Sequence, residues 1–284
     1  MVKVAFLFFR SGRAAFKTTL SVVFSSLIFV LTVPEYASAA SGALPRATVR
    51  LLPAPLNQGT GIVGVEIAME AGVKTYWRMP GDSGLPPIFN WSTSDNLKTA
   101  RVEWPLPERI ADPAGSVLGY HDTVVFPVSI EAIDPSKPVR LSLALDYAVC
   151  GEVCVPLKAE VEAMLDAKPV DPTITDAIEH FRARVPAASV LGGPTKPALI
   201  GITPAGPDQL TVSTDTPVHD LIIEGPDGWY FGDATPSREA EWQVKILERP
   251  SKAQLAGLAL TVTLIGRLQS TETRVTLDPS GAIR

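Results

Sequence analysis

Cys150 and Cys154 are the only two cysteines among 284 residues. They stand four positions apart in Asp146-Tyr147-Ala148-Val149-Cys150-Gly151-Glu152-Val153-Cys154-Val155-Pro156. Two thiols this close can cycle between dithiol and disulfide. They can also form a structural staple, or offer two thiolates to a soft ion such as Cu(I). Spacing weighs against the staple: closing a ring of about five residues gains only about 2 kcal/mol, against about 4.7 for a ring of about 100. Zinc needs more than two thiolates, and His121, His180 and His219 show no metal-ligand spacing. We expect a redox-active pair with neither a resident metal nor a cofactor.

The pair needs elements to position it. Leu141-Ser142-Leu143-Ala144-Leu145-Asp146-Tyr147 alternates with the period of a half-buried strand, which puts Leu141, Leu143, Leu145 and Tyr147 on one face and Cys150 on the other. Gly151-Glu152-Val153 suits a three-residue hairpin loop, with glycine available for a positive φ. The cysteines then oppose each other about 4.5–5.5 Å apart at Cα, inside the range a disulfide accepts. Lys158 is the nearest cation in sequence, Glu152 sits in the turn, and no helix N-terminus is evident. Thiol pKa values near or above the unperturbed value of about 8.5 are expected, so this pair waits for another thiolate to attack it. His121-Asp122 suggests a dyad, but no nucleophile motif such as G-x-S-x-G completes it.

Tyr147-x-x-Cys150-x-x-x-Cys154-x-Pro156 is preceded by Trp77-Arg78-Met79-Pro80-Gly81-Asp82-Ser83-Gly84, Phe89-x-Trp91 and Val102-x-Trp104-Pro105-x-Pro107. Together these resemble the amino-terminal periplasmic domain of the DsbD and ScsB thiol:disulfide interchange proteins, over roughly residues 46 to 168. The resemblance implies an immunoglobulin-like sandwich whose cysteines take electrons from a membrane-embedded donor and pass them to periplasmic thioredoxin-like partners. It implies a thiol-disulfide oxidoreductase of the protein-disulfide reductase type, attacked at Cys154. It further implies an active-site rim of Tyr76, Trp77, Tyr120, Tyr147 and Pro156. The counterpart of the family's cap loop is Asp112-Pro113-Ala114-Gly115-Ser116, without the aromatic that the best-known members carry at its tip. The many transmembrane helices and the thioredoxin module of a full DsbD protein have no counterpart here, so the resemblance implies a separate membrane-embedded donor.

At the start of the chain, Lys3, Arg10, Arg13 and Lys17 precede an apolar run from Leu20 to Val33, and Ala37-Ser38-Ala39 follows. This is the pattern of a cleavable export signal over residues 1–39, too short and too diluted by serine to span a bilayer. Its removal takes the formal charge from −5 to −8, which argues against nucleic acid or an anionic membrane as partner. The 26 prolines fall between short apolar runs, the punctuation of an all-β chain.

A redox domain over 40–168 is expected, with a strand after Cys154 and a loop over Glu108 to Gly119. A connector over 169–197 follows, whose helix runs from Thr173 to Val185 with Ile174, Ile178 and Phe181 on one stripe. Seven short strands over 198–284 predict a second, smaller sandwich without a catalytic constellation. The competing readings are a binding module with a structural disulfide and a copper-handling protein.

Overall fold

Short strands that are apolar on one face can bury that face only against another sheet, and this chain does so twice. The computed structural model describes residues 46–81, 84–112 and 115–283; the expected export signal lies outside them. The first sandwich contains β1 (Ala47–Leu52), β2 (Thr60–Met69), β3 (Lys74–Tyr76), β4 (Ile88–Asn90), β5 (Leu97–Val102), β6 (Glu108–Asp112), β7 (Gly115–His121), β8 (Thr123–Ala132), β9 (Val139–Cys150) and β10 (Cys154–Leu165). One sheet has the order β1-β2-β8-β5, and the other β10-β9-β3-β7-β6 with β4 also on β9.

The core follows the alternation. Val63, Val65 and Ile67 of β2 and Val124, Phe126 and Val128 of β8 meet Leu141, Leu143, Leu145 and Tyr147 of β9. Phe126 is the hub of the aromatic packing, with Trp104, Tyr120 and Phe89 edge-on at 5.2, 5.4 and 5.5 Å. Such pairs add about 0.5–1.5 kcal/mol each beyond burial.

The segment 108–119 is not the expected loop. It forms the β6–β7 hairpin, with Asp112 opposite Gly115 and Ile110 opposite Val117. Ile110, Val117 and Leu118 each find buried surroundings.

Helix α1 (Pro172–Arg182) starts at Asp171, whose carboxylate accepts from the Thr173 N–H, with Pro172 in the first turn where no donor is needed. It packs Ile178 against Leu52 and Val125 on the outside of the first sheet. The chain then builds the second sandwich from β11 (Ala187–Ser189), β12 (Leu199–Pro204), β13 (Gln209–Thr214), β14 (Asp220–Glu224), β15 (Tyr230–Phe231), β16 (Thr235–Arg238), β17 (Glu241–Glu248), β18 (Ala259–Ile265) and β19 (Ser270–Thr276). Its sheets run β11-β19-β18-β14 and β12-β13-β17-β15, with β16 also on β17. β11 pairs in parallel with β19, so this sandwich recruits chain from residue 187, ahead of the expected 198.

Gly119 and Asp215 give two tests of this packing. A Cβ on Gly119 would lie 2.2 Å from the Thr75 carbonyl oxygen, a backbone atom of the neighbouring strand. Gly119→Ala should therefore cost about 1–3 kcal/mol in urea unfolding; an unchanged midpoint would mean that β3 and β7 lie farther apart. Burial pushes the Asp215 carboxyl up, but its pairing with Lys196 and the Ala198 N–H at 2.6 Å outweigh this and hold it below the usual carboxylate range. A lowered folded pKa stabilises above the unfolded value, about 3.9, and that contribution is lost as pH falls through the folded value. Asp215→Asn should be less stable at neutral pH, and below about pH 4 it should lose less further stability on acidification than the parent chain.

Candidate functional site

Strands β9 and β10 are each twelve residues long and pair throughout, with Cys154 opposite Cys150 and Pro156 opposite Ala148. The ladder by itself sets the two cysteines opposite each other. They are joined here, with Sγ–Sγ 2.04 Å and Cα–Cα 4.1 Å, slightly closer than the expected spacing. None of Gly151, Glu152 or Val153 takes a positive φ, so the loop closes without the left-handed glycine the sequence suggested.

The two sulfurs are not equivalent. Both cysteines lie on the outer face of their sheet, yet Cys150 is only 1% accessible while Cys154 is exposed beside the open loop. Cys150 is buried in a small cluster separate from the main core, with Tyr76, Ala148, Ile110 and Val117. The Tyr76 hydroxyl lies 2.8 Å from Cys150 Sγ and 3.4 Å from Cys154 Sγ. Its position follows from β3, which is laid between β9 and β7 with Lys74 opposite Cys150 and Tyr76 opposite Gly119. The Thr75 hydroxyl donates to the Ala148 carbonyl at 2.8 Å and ties β3 to β9 at this point. Gly84 approaches the Tyr76 ring so closely that a Cβ there would lie 2.7 Å from it.

Lys74 is the cation that sequence reasoning missed. Residues paired across an antiparallel ladder project to the same face, so Lys74 emerges beside Cys150, largely buried. Its place in the alternation with Tyr76 was the available signal, but nothing local indicated that β3 would lie against β9. Lys158, the nearest cation in sequence, pairs instead with Asp146 at 2.9 Å.

The expected aromatic rim is largely redirected. Tyr76 and Pro156 stand on the cysteine face. Trp77, Tyr120 and Tyr147 point the other way, into the main core, because neighbouring strand residues alternate. The Tyr120 hydroxyl donates to the Pro105 carbonyl at 2.7 Å, and burial pushes the pKa values of Tyr120 and Tyr147 up, which keeps both phenols neutral. Arg78 lies over the Trp77 ring at 4.4 Å. Of the expected cap, Asp112 and Gly115 pair as the last rung of the hairpin, Gly115 lines a cleft facing the second sandwich, and Pro113 and Ala114 lie outside the described residues. Val153 is exposed next to Cys154, and Ile88, opposite Asp146, adds an exposed apolar side chain on the same face. Among the described residues no three His, Cys, Asp or Glu side chains gather in a way that could hold a metal ion.

Comparison with known proteins places this geometry in context. Residues 44–166 match the family described as thiol:disulfide interchange protein DsbD, N-terminal. The crystal structure of the N-terminal periplasmic domain of ScsB from Proteus mirabilis superposes with a TM-score of 0.63 at 22% identity, covering 82% of this chain and 92% of that one. At that identity the likeness speaks for the fold. The similarity to titin A168–A169 has a TM-score of 0.16 at 10% identity, over 82% of this chain and 97% of that one, too low to carry an argument. No curated protein sequence matches the chain.

Tyr76→Phe tests the contact to sulfur. A hydroxyl donor stabilises a thiolate more than a disulfide, so its loss should disfavour the reduced state by about 1 kcal/mol. The reduction potential should then become more negative by roughly 20 mV. An unchanged potential would show that the hydroxyl does not favour the thiolate.

Proposed function

Because residues 44–166 belong to the family of the DsbD amino-terminal domain and carry a disulfide in its sandwich, we propose that this chain is a periplasmic relay that passes electron pairs through Cys150 and Cys154. The observation that carries the reading is the asymmetry of the pair: an exposed Cys154 bonded to a buried Cys150 whose sulfur has a hydroxyl at 2.8 Å.

The step that follows is exchange. A donor thiolate attacks Cys154 Sγ, the Sγ–Sγ bond breaks, and its electron pair leaves on Cys150, where the Tyr76 hydroxyl can donate to the new thiolate. The donor's second thiolate then attacks its own sulfur in the mixed disulfide and frees Cys154; the donor is oxidised and the pair is reduced by two electrons. Running the same steps against an acceptor disulfide, Cys154 attacks, Cys150 resolves, and the acceptor leaves as a dithiol.

The reaction partners are thioredoxin-like proteins, with the electrons originating in a separate membrane-embedded donor. Family membership supports both assignments, the exposed Val153 offers apolar surface next to the reacting Cys154, and the exposed Ile88 adds more on the same face of the sheet, opposite Asp146. Export to the periplasm is supported by the basic start, the apolar run and Ala37-Ser38-Ala39, with cleavage after Ala39 or Ala40. No helix among the described residues is long and apolar enough to cross a membrane.

The equilibrium reduction potential, with trapping by single-cysteine variants, tests the reading. A relay should lie above about −250 mV; Cys150→Ser should capture a thioredoxin-like partner on Cys154, and Cys154→Ser should capture little. A potential below about −300 mV with nothing trapped would leave a binding module pinned by a structural disulfide.

A further inference from the structure

The two faces of the β6–β7 hairpin meet different neighbours. Ile110 and Val117, opposite each other, are buried with Tyr76, Ala148 and Cys150. Arg109, next to Ile110 on β6, points the other way, as alternation requires, and reaches the second sandwich. Its Nε donates to Asp220 Oδ2 at 2.5 Å, its Nη2 to the Leu221 carbonyl at 3.1 Å, and its Nη1 to the Asp233 carboxylate. These acceptors come from two separate segments, the start of β14 and the stretch after β15. A planar guanidinium held by three of them has one orientation.

Local structure gives β6 little other support. It is the edge strand of its sheet, paired only with β7, and Pro105 and Pro107 precede it. A second tie lies nearby: Arg78 forks onto Glu224 at 2.9 and 2.5 Å and also meets Glu272. Burial works against its charge, but the two glutamates outweigh that and raise its pKa further above the ordinary arginine value. Ile222 of β14 enters the core cluster of the first sandwich. The face of β14 is thus seated on the first sandwich, and Arg109 extends that seat to the hairpin beside Cys150.

We propose that Arg109 is a positioning residue for the exchange reaction: tied to Asp220 and Asp233, it makes the second sandwich hold the β6–β7 hairpin against Cys150, so that attack is directed to Cys154. This rests on the reading of Cys150 and Cys154 as an exchangeable pair. In the first exchange step the bond made is donor sulfur to Cys154 Sγ and the bond broken is Cys150–Cys154, with Cys150 Sγ leaving as thiolate. A hairpin that stays in place blocks the opposite choice, in which Cys150 is attacked and Cys154 leaves.

The test is alkylation by iodoacetamide of single-cysteine proteins, which needs no redox partner. In a Cys154→Ser background, Arg109→Ala should accelerate alkylation of Cys150 about tenfold or more, as expected for losing the charge-assisted ties of one guanidinium. In a Cys150→Ser background, the same change should leave the rate at Cys154 unaltered. Asp220→Ala should reproduce the effect and add less than its separate share to Arg109→Ala, since the two act through one contact. Raising salt from about 0.05 to 1 M should accelerate Cys150 in the chain with Arg109 present, and do so less in the Arg109→Ala variant.

An unchanged Cys150 rate, or equal acceleration at both cysteines, would overturn the proposal; the second result would mean general loosening. If Arg109→Ala does not fold, Asp220→Asn and the salt series decide the matter in the same way. A reduction potential as low as that of a structural disulfide would remove the relay while leaving the alkylation result intact, so the two failures are distinguishable.

Discussion

Strand β9 has to satisfy two faces at once, and the rest of the molecule depends on its register. Leu141, Leu143, Leu145, Tyr147 and Val149 fill the core, while Ala148 and Cys150 face outward. A slip of one residue against β10 would turn Cys150 inward and part it from Cys154. The twelve-residue ladder prevents that slip, and the large apolar side chains on one face make it costly. The disulfide is therefore placed by the sheet and is not what places it. A small ring of this kind adds only about 2 kcal/mol to stability, so opening it leaves the surrounding sandwich intact. A redox couple needs that property.

The asymmetry of the sulfurs arises one layer further out. Cys154 begins β10 at an open loop, whereas Cys150 ends β9 beside β3 and is buried in one cluster with Tyr76 and with Ile110 and Val117 of the β6–β7 hairpin. Burial protects one sulfur from external thiolates, and exposure presents the other. The nearby hydroxyl of Tyr76 belongs to the buried side, where a departing thiolate would have to be stabilised in surroundings of low polarity. The phenols of Tyr120 and Tyr147 are committed to the core and take no part in this.

The second sandwich contributes no cysteine, yet it is joined to the first near the elements that enclose Cys150. Arg78 follows Tyr76 by two residues and is held by Glu224 and Glu272; Arg109 neighbours Ile110 and is held by Asp220 and Asp233. Ion pairs with exposed partners stabilise little. These differ in that Arg78 forks onto Glu224 and Arg109 onto Asp220 with all four side chains partly buried, while Asp233 is exposed, and a forked guanidinium favours one fixed arrangement over many.

The sequence alone determined the cysteine pair, the alternation that puts Cys150 opposite the leucines, the hairpin that makes it face Cys154, and the presence of two sandwiches joined by a helix. These are local properties: period, turn length and proline punctuation act within a few residues and can be read there. It misjudged residues 108–119, because Ile110 and Val117 are too few to show an alternation until each has a partner across the hairpin. The family resemblance set Trp77, Tyr120 and Tyr147 around the cysteines, although alternation assigns Tyr147 at least to the opposite face. Long-range packing set β3 beside β9, which brings Tyr76 to the sulfur and Lys74 next to Cys150, and it brought Arg109 of the hairpin onto Asp220 and Asp233 of the second sandwich. The order of strands in a sheet is set by which long-range pairing buries the most apolar surface at once, and no stretch of chain carries that choice by itself.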